Sequence, residues 1–137
     1  MIAETTIDKK QLIEKVAFEY FLTKGYEATT VRMICKKAEV EPPTLYYYFG
    51  SKKGLFFSIV DKMLNDFKRA KEEKIIEKKP DTESMLRLVY EYSINYSIKY
   101  FNEVKFYLRY KLFAPDELKK DIEEYMRDTY KKKEKTI

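Results

Sequence analysis

The chain has 137 residues, three glycines, four prolines and a formal charge of +5 from 28 basic and 23 acidic side chains, a composition that fits one or two small, mostly helical domains with room for an anionic partner. It contains no histidine and one cysteine, so it lacks the commonest general base and transition-metal ligand and cannot form an internal disulfide; no metal, cofactor or catalysis is expected. Its apolar runs are a few residues long and broken by Lys or Glu, too short for a membrane span or signal peptide, and the cytoplasm is the expected location.

From Asp8 to Lys24 the residues Leu12, Val16, Ala17, Tyr20 and Phe21 recur at helical spacing. Asp8 with Gln11 has the form of a capping box, and Gly25 sits where a left-handed residue would end the helix. Thr30 can cap a short helix from Val31 to about Lys37 with Val31, Ile34, Cys35 and Ala38 inward, which makes Cys35 a small buried hydrophobe. After a turn at Glu39 and Val40, Pro42 and Pro43 suit the first turn of a third helix, running to about Tyr48. Ser51 can cap a long fourth helix reaching about Lys79, striped by Leu55, Phe56, Ile59, Val60, Met63, Leu64 and Phe67. Pro80 breaks the chain before a fifth helix outlined by Met85, Leu88, Val89, Tyr92, Tyr96 and Tyr100. A sixth is expected from Glu103 to Phe113, and a seventh from Pro115 and Asp116 through Leu118, Ile122, Tyr125 and Met126. The fold expected is all-α.

Three short helices with a tight turn between the second and third have the arrangement of a helix-turn-helix, in which the third lies in the major groove while the others brace it. Val40 can plug the turn, and Leu45 and Phe49 can anchor the third helix from beneath. Thr44, Tyr46, Tyr47 and Tyr48 then remain as outward candidates, offering hydroxyls to phosphates and flat apolar surface to thymine methyls. Successive helical residues point about 100 degrees apart, so three tyrosines in a row cannot all be core. Lys52, Lys53 and the amino end of the fourth helix add positive potential beside this surface.

The ordered pieces Gly25-Tyr26-Glu27-Ala28-Thr29-Thr30-Val31-Arg32, then Ala38-Glu39-Val40, then Thr44-Leu45-Tyr46-Tyr47-Tyr48-Phe49-Gly50-Ser51-Lys52-Lys53-Gly54-Leu55-Phe56 resemble the signature of the TetR family of transcriptional regulators. The resemblance covers roughly the first third of the chain. It implies a DNA-binding head over residues 1–50, in which Thr30 and Arg32 contact the backbone, Thr44, Tyr46 and Tyr48 contact DNA from the third helix, and Lys52 clamps a phosphate. Pro42 and Pro43 fall where the family sets base preference, so their contacts would be apolar and discrimination would lean on methyl groups and DNA shape. Three positions depart from the pattern: Glu39 replaces the usual turn glycine, Met33 an acidic residue, and Gly54 a capping glutamate. The first implies a positive φ on a non-glycine residue, and the last a first turn weakened by up to about 1 kcal/mol relative to alanine.

Residues 51–137 would be the connecting helix and a helical ligand-binding and dimerisation domain. The segment Phe106 to Leu118 resembles the family's sixth helix and its turn into the seventh, and only about twenty residues follow. The expectation is a shortened domain without the last two helices, which in the family form the dimer interface. The function implied is a repressor acting on a palindromic operator in double-stranded DNA and released by a small hydrophobic or aromatic effector. The chain would be a homodimer where those helices are present or replaced. Tyr92, Tyr96, Tyr100, Tyr107 and Tyr110 are candidates to line an effector pocket, although aromatics at helical spacing are more often ordinary core. One alternative is a monomeric or heterodimerising modulator of a related regulator. Another is a basic protein that binds a membrane surface or acidic partner through Lys68 to Lys79 and Lys131 to Lys135. Those runs lack a clean apolar face, so no membrane role is expected. The acidic pairs Glu72 with Glu73 and Glu123 with Glu124 diverge on a helix and form no acid-base site.

Overall fold

The computed structural model describes the backbone of residues 8–78 and 81–134 and the side chains of residues 8–74, 81–129 and 131–132. The described residues form seven helices: α1 (Lys9–Thr23), α2 (Val31–Ala38), α3 (Pro42–Phe49), α4 (Lys52–Lys78), α5 (Thr82–Lys99), α6 (Phe101–Leu112) and α7 (Asp116–Glu134). Pro80 and Lys135, which entered the sequence reading as a break and as part of a basic tail, lie outside the described residues.

Local chemistry accounts for most boundaries. The Thr30 hydroxyl accepts from the Met33 amide at 3.1 Å and opens α2, the Ser51 hydroxyl accepts from the Gly54 amide at 2.9 Å and opens α4, and Asp81 accepts from Ser84 at 2.8 Å and opens α5. That last contact also holds the Asp81 carboxyl below its ordinary pKa. Asp8 caps α1 through the Lys10 amide, which takes the place of the reciprocal bond with Gln11 that a capping box would show.

One apolar cluster runs through the molecule. It takes Ile13, Val16, Ala17 and Phe21 from α1, Ile34, Cys35 and Ala38 from α2, Leu45 from α3, Leu55, Phe56 and Ile59 from α4, Phe106 and Tyr110 from α6, and Leu118 from α7. The expected stripe of α1 omitted Ile13, which is fully buried. The cluster crosses position 50 without a gap, so the three-helix head packs directly on the helices that follow it. Phe56 lies at the junction, with ring centroids 5.9 Å from Phe21, 5.6 Å from Tyr26, 5.7 Å from Phe106 and 4.9 Å from Tyr110.

Two contacts tie α6 to the end of α1. The Arg109 guanidinium donates to the Leu22 carbonyl at 2.7 Å, and the Tyr110 hydroxyl donates to the Phe21 carbonyl at 2.6 Å. The last carbonyls of a helix have no partner within it, and a cation there also suits the helix dipole. Gly25, at φ +92°, leaves room for this arrangement, because a Cβ would come within 2.9 Å of the Arg109 guanidinium. On the other flank Lys53 pairs with Asp121 of α7 at 2.8 Å, and the Tyr125 hydroxyl donates to Asp61.

Gly54 reverses its sequence-based reading. A methyl group at this position would overlap the backbone carbonyl oxygen of Phe49, so glycine is what lets the end of α3 lie against the start of α4. Gly54→Ala should therefore lower stability by about 1–3 kcal/mol, against the gain of up to about 1 kcal/mol that helix propensity alone would give. Urea unfolding followed by circular dichroism checks the sign.

Candidate nucleic-acid interface

The short helix α3 is held from one side only. Leu45 is fully buried beneath it, Phe49 is half-buried, and Val40 of the preceding turn is half-buried against the same cluster. The opposite side carries Pro42, Pro43, Tyr46, Tyr47 and Tyr48, all exposed, with Thr44 half-exposed at its edge. Tyr47 is the most open of the three tyrosines at 83%, against 49% for Tyr46 and 37% for Tyr48. Its ring stands edge-on to Tyr48 with centroids 5.2 Å apart, so these two residues present one continuous aromatic surface.

The turn that aims α3 has the strained residue expected from the sequence. Glu39 adopts φ +55° and ψ +44°, the left-handed conformation, and two amides close the turn: Glu39 N–H donates to the carbonyls of Cys35 and Lys36, and Val40 N–H to that of Cys35 at 3.0 Å. Cys35 is buried among Ile34 and Ala38, and burial raises its thiol pKa, as a packing role requires. Beside α3, Thr30 and Arg32 are exposed at the start of α2. Thr30 keeps its hydroxyl proton free to donate while its oxygen caps the helix.

Lys52 departs from the expectation of a phosphate clamp. Its ammonium donates to the carbonyls of Tyr26 and Thr29 at 3.0 and 3.1 Å and lies 4.0 Å from the centroid of the Tyr26 ring. A lysine has three N–H donors, and two of these are spent on the loop between α1 and α2. The side chain thus fixes the height of that loop against α4. Lys53 is likewise turned to Asp121 and away from the exposed row on α3. Within the described residues the outward basic groups nearest this face in sequence are Arg32, Lys36 and Lys37 of α2.

The five tyrosines expected around one pocket are divided between two places. Tyr92, Tyr96 and Tyr100 stack in series along α5, with centroids 5.8 and 4.5 Å apart, and the first two pack on Phe67 of α4. Burial raises the Tyr96 pKa to about 12. The Tyr92 hydroxyl is buried and has no hydrogen-bond partner among the described residues. Tyr107 and Tyr110 instead border a cavity of about 30 Å³ between α4, α6 and α7, together with Phe57, Val60, Met63 and Tyr125. That volume holds roughly one or two waters, and Tyr110 is committed to its bond with α1. The helical period that exposed these aromatics in the sequence cannot tell which neighbouring helix each one meets.

The residues forming this arrangement match known proteins. The profile described as "Bacterial regulatory proteins, tetR family" matches residues 13–59. The chain is 33% identical over 85 residues to the HTH-type transcriptional regulator YhgD of Bacillus subtilis, covering 62% of this chain and 44% of that protein. It is 30% identical over 79 residues to the HTH-type transcriptional repressor ComR of Escherichia coli, covering 58% and 37% respectively. The match thus spans less than half the length of either relative. In fold it is similar to the crystal structure of a protein described as a tetR family transcription regulator from Shewanella sp. PV-4, with a TM-score of 0.71, 21% identity, and coverage of 77% of this chain and 55% of that one.

Two substitutions separate the roles assigned here. Glu39→Gly should stabilise the protein by about 1 kcal/mol by relieving the left-handed strain, without moving α3. Lys52→Met should lower stability by about 1–3 kcal/mol because two buried-side carbonyls lose a charged donor. Thermal unfolding at fixed ionic strength reads both, and a Lys52→Met protein as stable as the parent would contradict the inward role.

Proposed function

We propose that the chain is a TetR-family regulator that controls transcription by binding double-stranded DNA, with α3 in the major groove and Thr30 and Arg32 of α2 on the flanking phosphates, a reading supported by the match of residues 13–59 to the tetR-family profile. The observation that carries this reading is a helix anchored from below by a fully buried Leu45 that exposes two prolines and three tyrosines. A helix held this way and raised clear of its neighbours is what entry into a groove of about 12 Å requires.

The chemistry of the row indicates how it reads DNA. Pro42 and Pro43 bring apolar rings to base edges and no hydrogen-bonding side chain. Tyr46, Tyr47 and Tyr48 each carry one hydroxyl on an apolar ring. Such a surface favours thymine methyls and single hydrogen bonds over the bidentate pairing by which arginine recognises guanine. A palindromic operator follows from two such heads acting together at half-sites about 34–36 Å apart.

Repression is the sign of regulation we infer, supported by the similarity to a protein named as a repressor. A small apolar or aromatic effector would act by widening the space between α4, α6 and α7, where Phe56, Phe57, Tyr107 and Tyr125 line the existing cavity. Entry there displaces α6, the helix whose Arg109 and Tyr110 hold the end of α1.

Selection of bound duplexes from a random pool, followed by fluorescence anisotropy on the selected sequence, tests the reading. Tyr47→Ala should weaken specific binding by about 1–3 kcal/mol while leaving thermal stability unchanged. Arg32→Ala should weaken binding to all sequences alike and reduce the salt slope by about one phosphate. Specific binding that survives both changes intact would move the interface away from α2 and α3.

A further inference from the structure

A side chain that can only accept hydrogen bonds stands at the head of α3. Glu41 is the N-cap residue of that helix, with extended backbone at φ −83° and ψ 149°, and its carboxylate makes no capping bond. The cause is local. An N-cap side chain ordinarily accepts from the amides of the second and third helical residues. Here the first two positions are Pro42 and Pro43, which have no N–H, and the Thr44 amide already donates to the Glu41 carbonyl at 3.0 Å. The Glu41 side chain is exposed and has no hydrogen bond or ion pair among the described residues.

Residues 41–50 contain no Arg, Lys, Asn or Gln, so α3 has none of the side chains that pair bidentately with guanine or adenine. The hydroxyls of Thr44, Tyr46, Tyr47 and Tyr48 both donate and accept, and distinguish poorly between a base edge that donates and one that accepts. Glu41 alone is of one kind.

We propose that Glu41 reads a cytosine in the bound half-site, its carboxylate accepting from the N4 amino group in the major groove. The N-terminal residues of a reading helix are those that meet base edges. Of the four bases in that groove, only cytosine offers a donor with no acceptor of its own: adenine sets N7 beside its amino group, guanine shows N7 and O6, and thymine shows O4 and a methyl group. A carboxylate beside guanine or thymine sets acceptor against acceptor, so the residue selects by rejecting the wrong base as well as by binding the right one. The rings of Pro42 and Pro43 take methyl contacts, which makes a cytosine close to thymine the expected local sequence. The amino end of α3 is the positive pole of the helix and offsets part of the cost of bringing a carboxylate near phosphates.

The inference rests on α3 being the reading helix, and the experiment separates the two. Duplexes are selected from a random pool with the parent chain and with Glu41→Gln, Glu41→Ala and Glu39→Gln. Fluorescence anisotropy then compares each selected duplex with its single-base variants. The parent should favour cytosine at one position of the half-site by about tenfold or more. Glutamine pairs with the N6 and N7 of adenine, so Glu41→Gln should move the preference at that one position to adenine, and Glu41→Ala should erase it. Glu39→Gln removes the same charge from the neighbouring turn, where Glu39 is also exposed. It should strengthen binding to all duplexes alike and leave every base preference in place. The Glu41 carboxylate has no partner within the described residues, so its variants should keep the parent's helical content, which circular dichroism checks. A parent whose selected bases are unchanged by Glu41→Gln overturns the inference while α3 keeps its role, and so does a Glu39→Gln protein that shifts the same position. A folded parent that selects no sequence at all removes the proposed function, and the reading of Glu41 with it.

Discussion

Phe56 is fully buried, and its ring is met by Phe21 of α1, Tyr26 of the following loop, its neighbour Phe57, and Phe106 and Tyr110 of α6. The side chain belongs to the helix that leaves α3, and its surroundings belong to the bracing helix of the head and to the body. A close-packed core transmits displacement because it has few voids to absorb it. Together with the buried Leu45 of α3 itself, the Phe56 ring fixes the start of α4 relative to α1 and α6, and the loss of that ring would cost about 3–5 kcal/mol. Burial of Tyr26 in the same cluster raises its hydroxyl pKa to about 12, which keeps a neutral phenol in the packed junction at any physiological pH.

Polar contacts around this junction give it direction. Arg109 and Tyr110 satisfy carbonyls at the end of α1 that the helix cannot satisfy for itself. Lys52 does the same for carbonyls of the loop that follows. The two sets hold the segment between Phe21 and Thr29 from opposite sides, one from α6 and one from α4. The held segment leads directly into α2, at whose start Thr30 and Arg32 lie.

The sequence made the helices legible because each has a local signature: Thr30, Ser51 and Asp81 as caps, Pro42 and Pro43 in a first turn, and apolar residues at helical spacing. The outward row of α3 was legible for the same reason, since consecutive tyrosines on a short helix over one buried Leu45 must include exposed ones. The strained Glu39 was implied by the family resemblance, in which a turn glycine usually stands at that position. What stayed hidden depends on contacts distant in the chain. Arg109 lies 87 positions from the carbonyl it caps, and Lys52 lies 26 and 23 from its two. The carbonyl beside Gly54 belongs to another helix, and intrinsic propensity contains no information about it. The partition of the tyrosines likewise follows from how α5, α6 and α7 sit on α4, which the helical period of one segment does not encode.

The central claim is that α3 is an outward-facing reading helix whose support lies in the Phe56 junction. Two-dimensional carbon–proton spectra of protein carrying labelled tyrosine, recorded while a selected DNA duplex is added, test it most directly. The account predicts that the ring signals of Tyr46, Tyr47 and Tyr48 shift strongly while those of the packed Tyr26 and Tyr110 retain their dispersion and nearly their positions. Ring signals of α3 that stay still while the duplex binds, or an exposed, rapidly exchanging Tyr26 in the free protein, would contradict it.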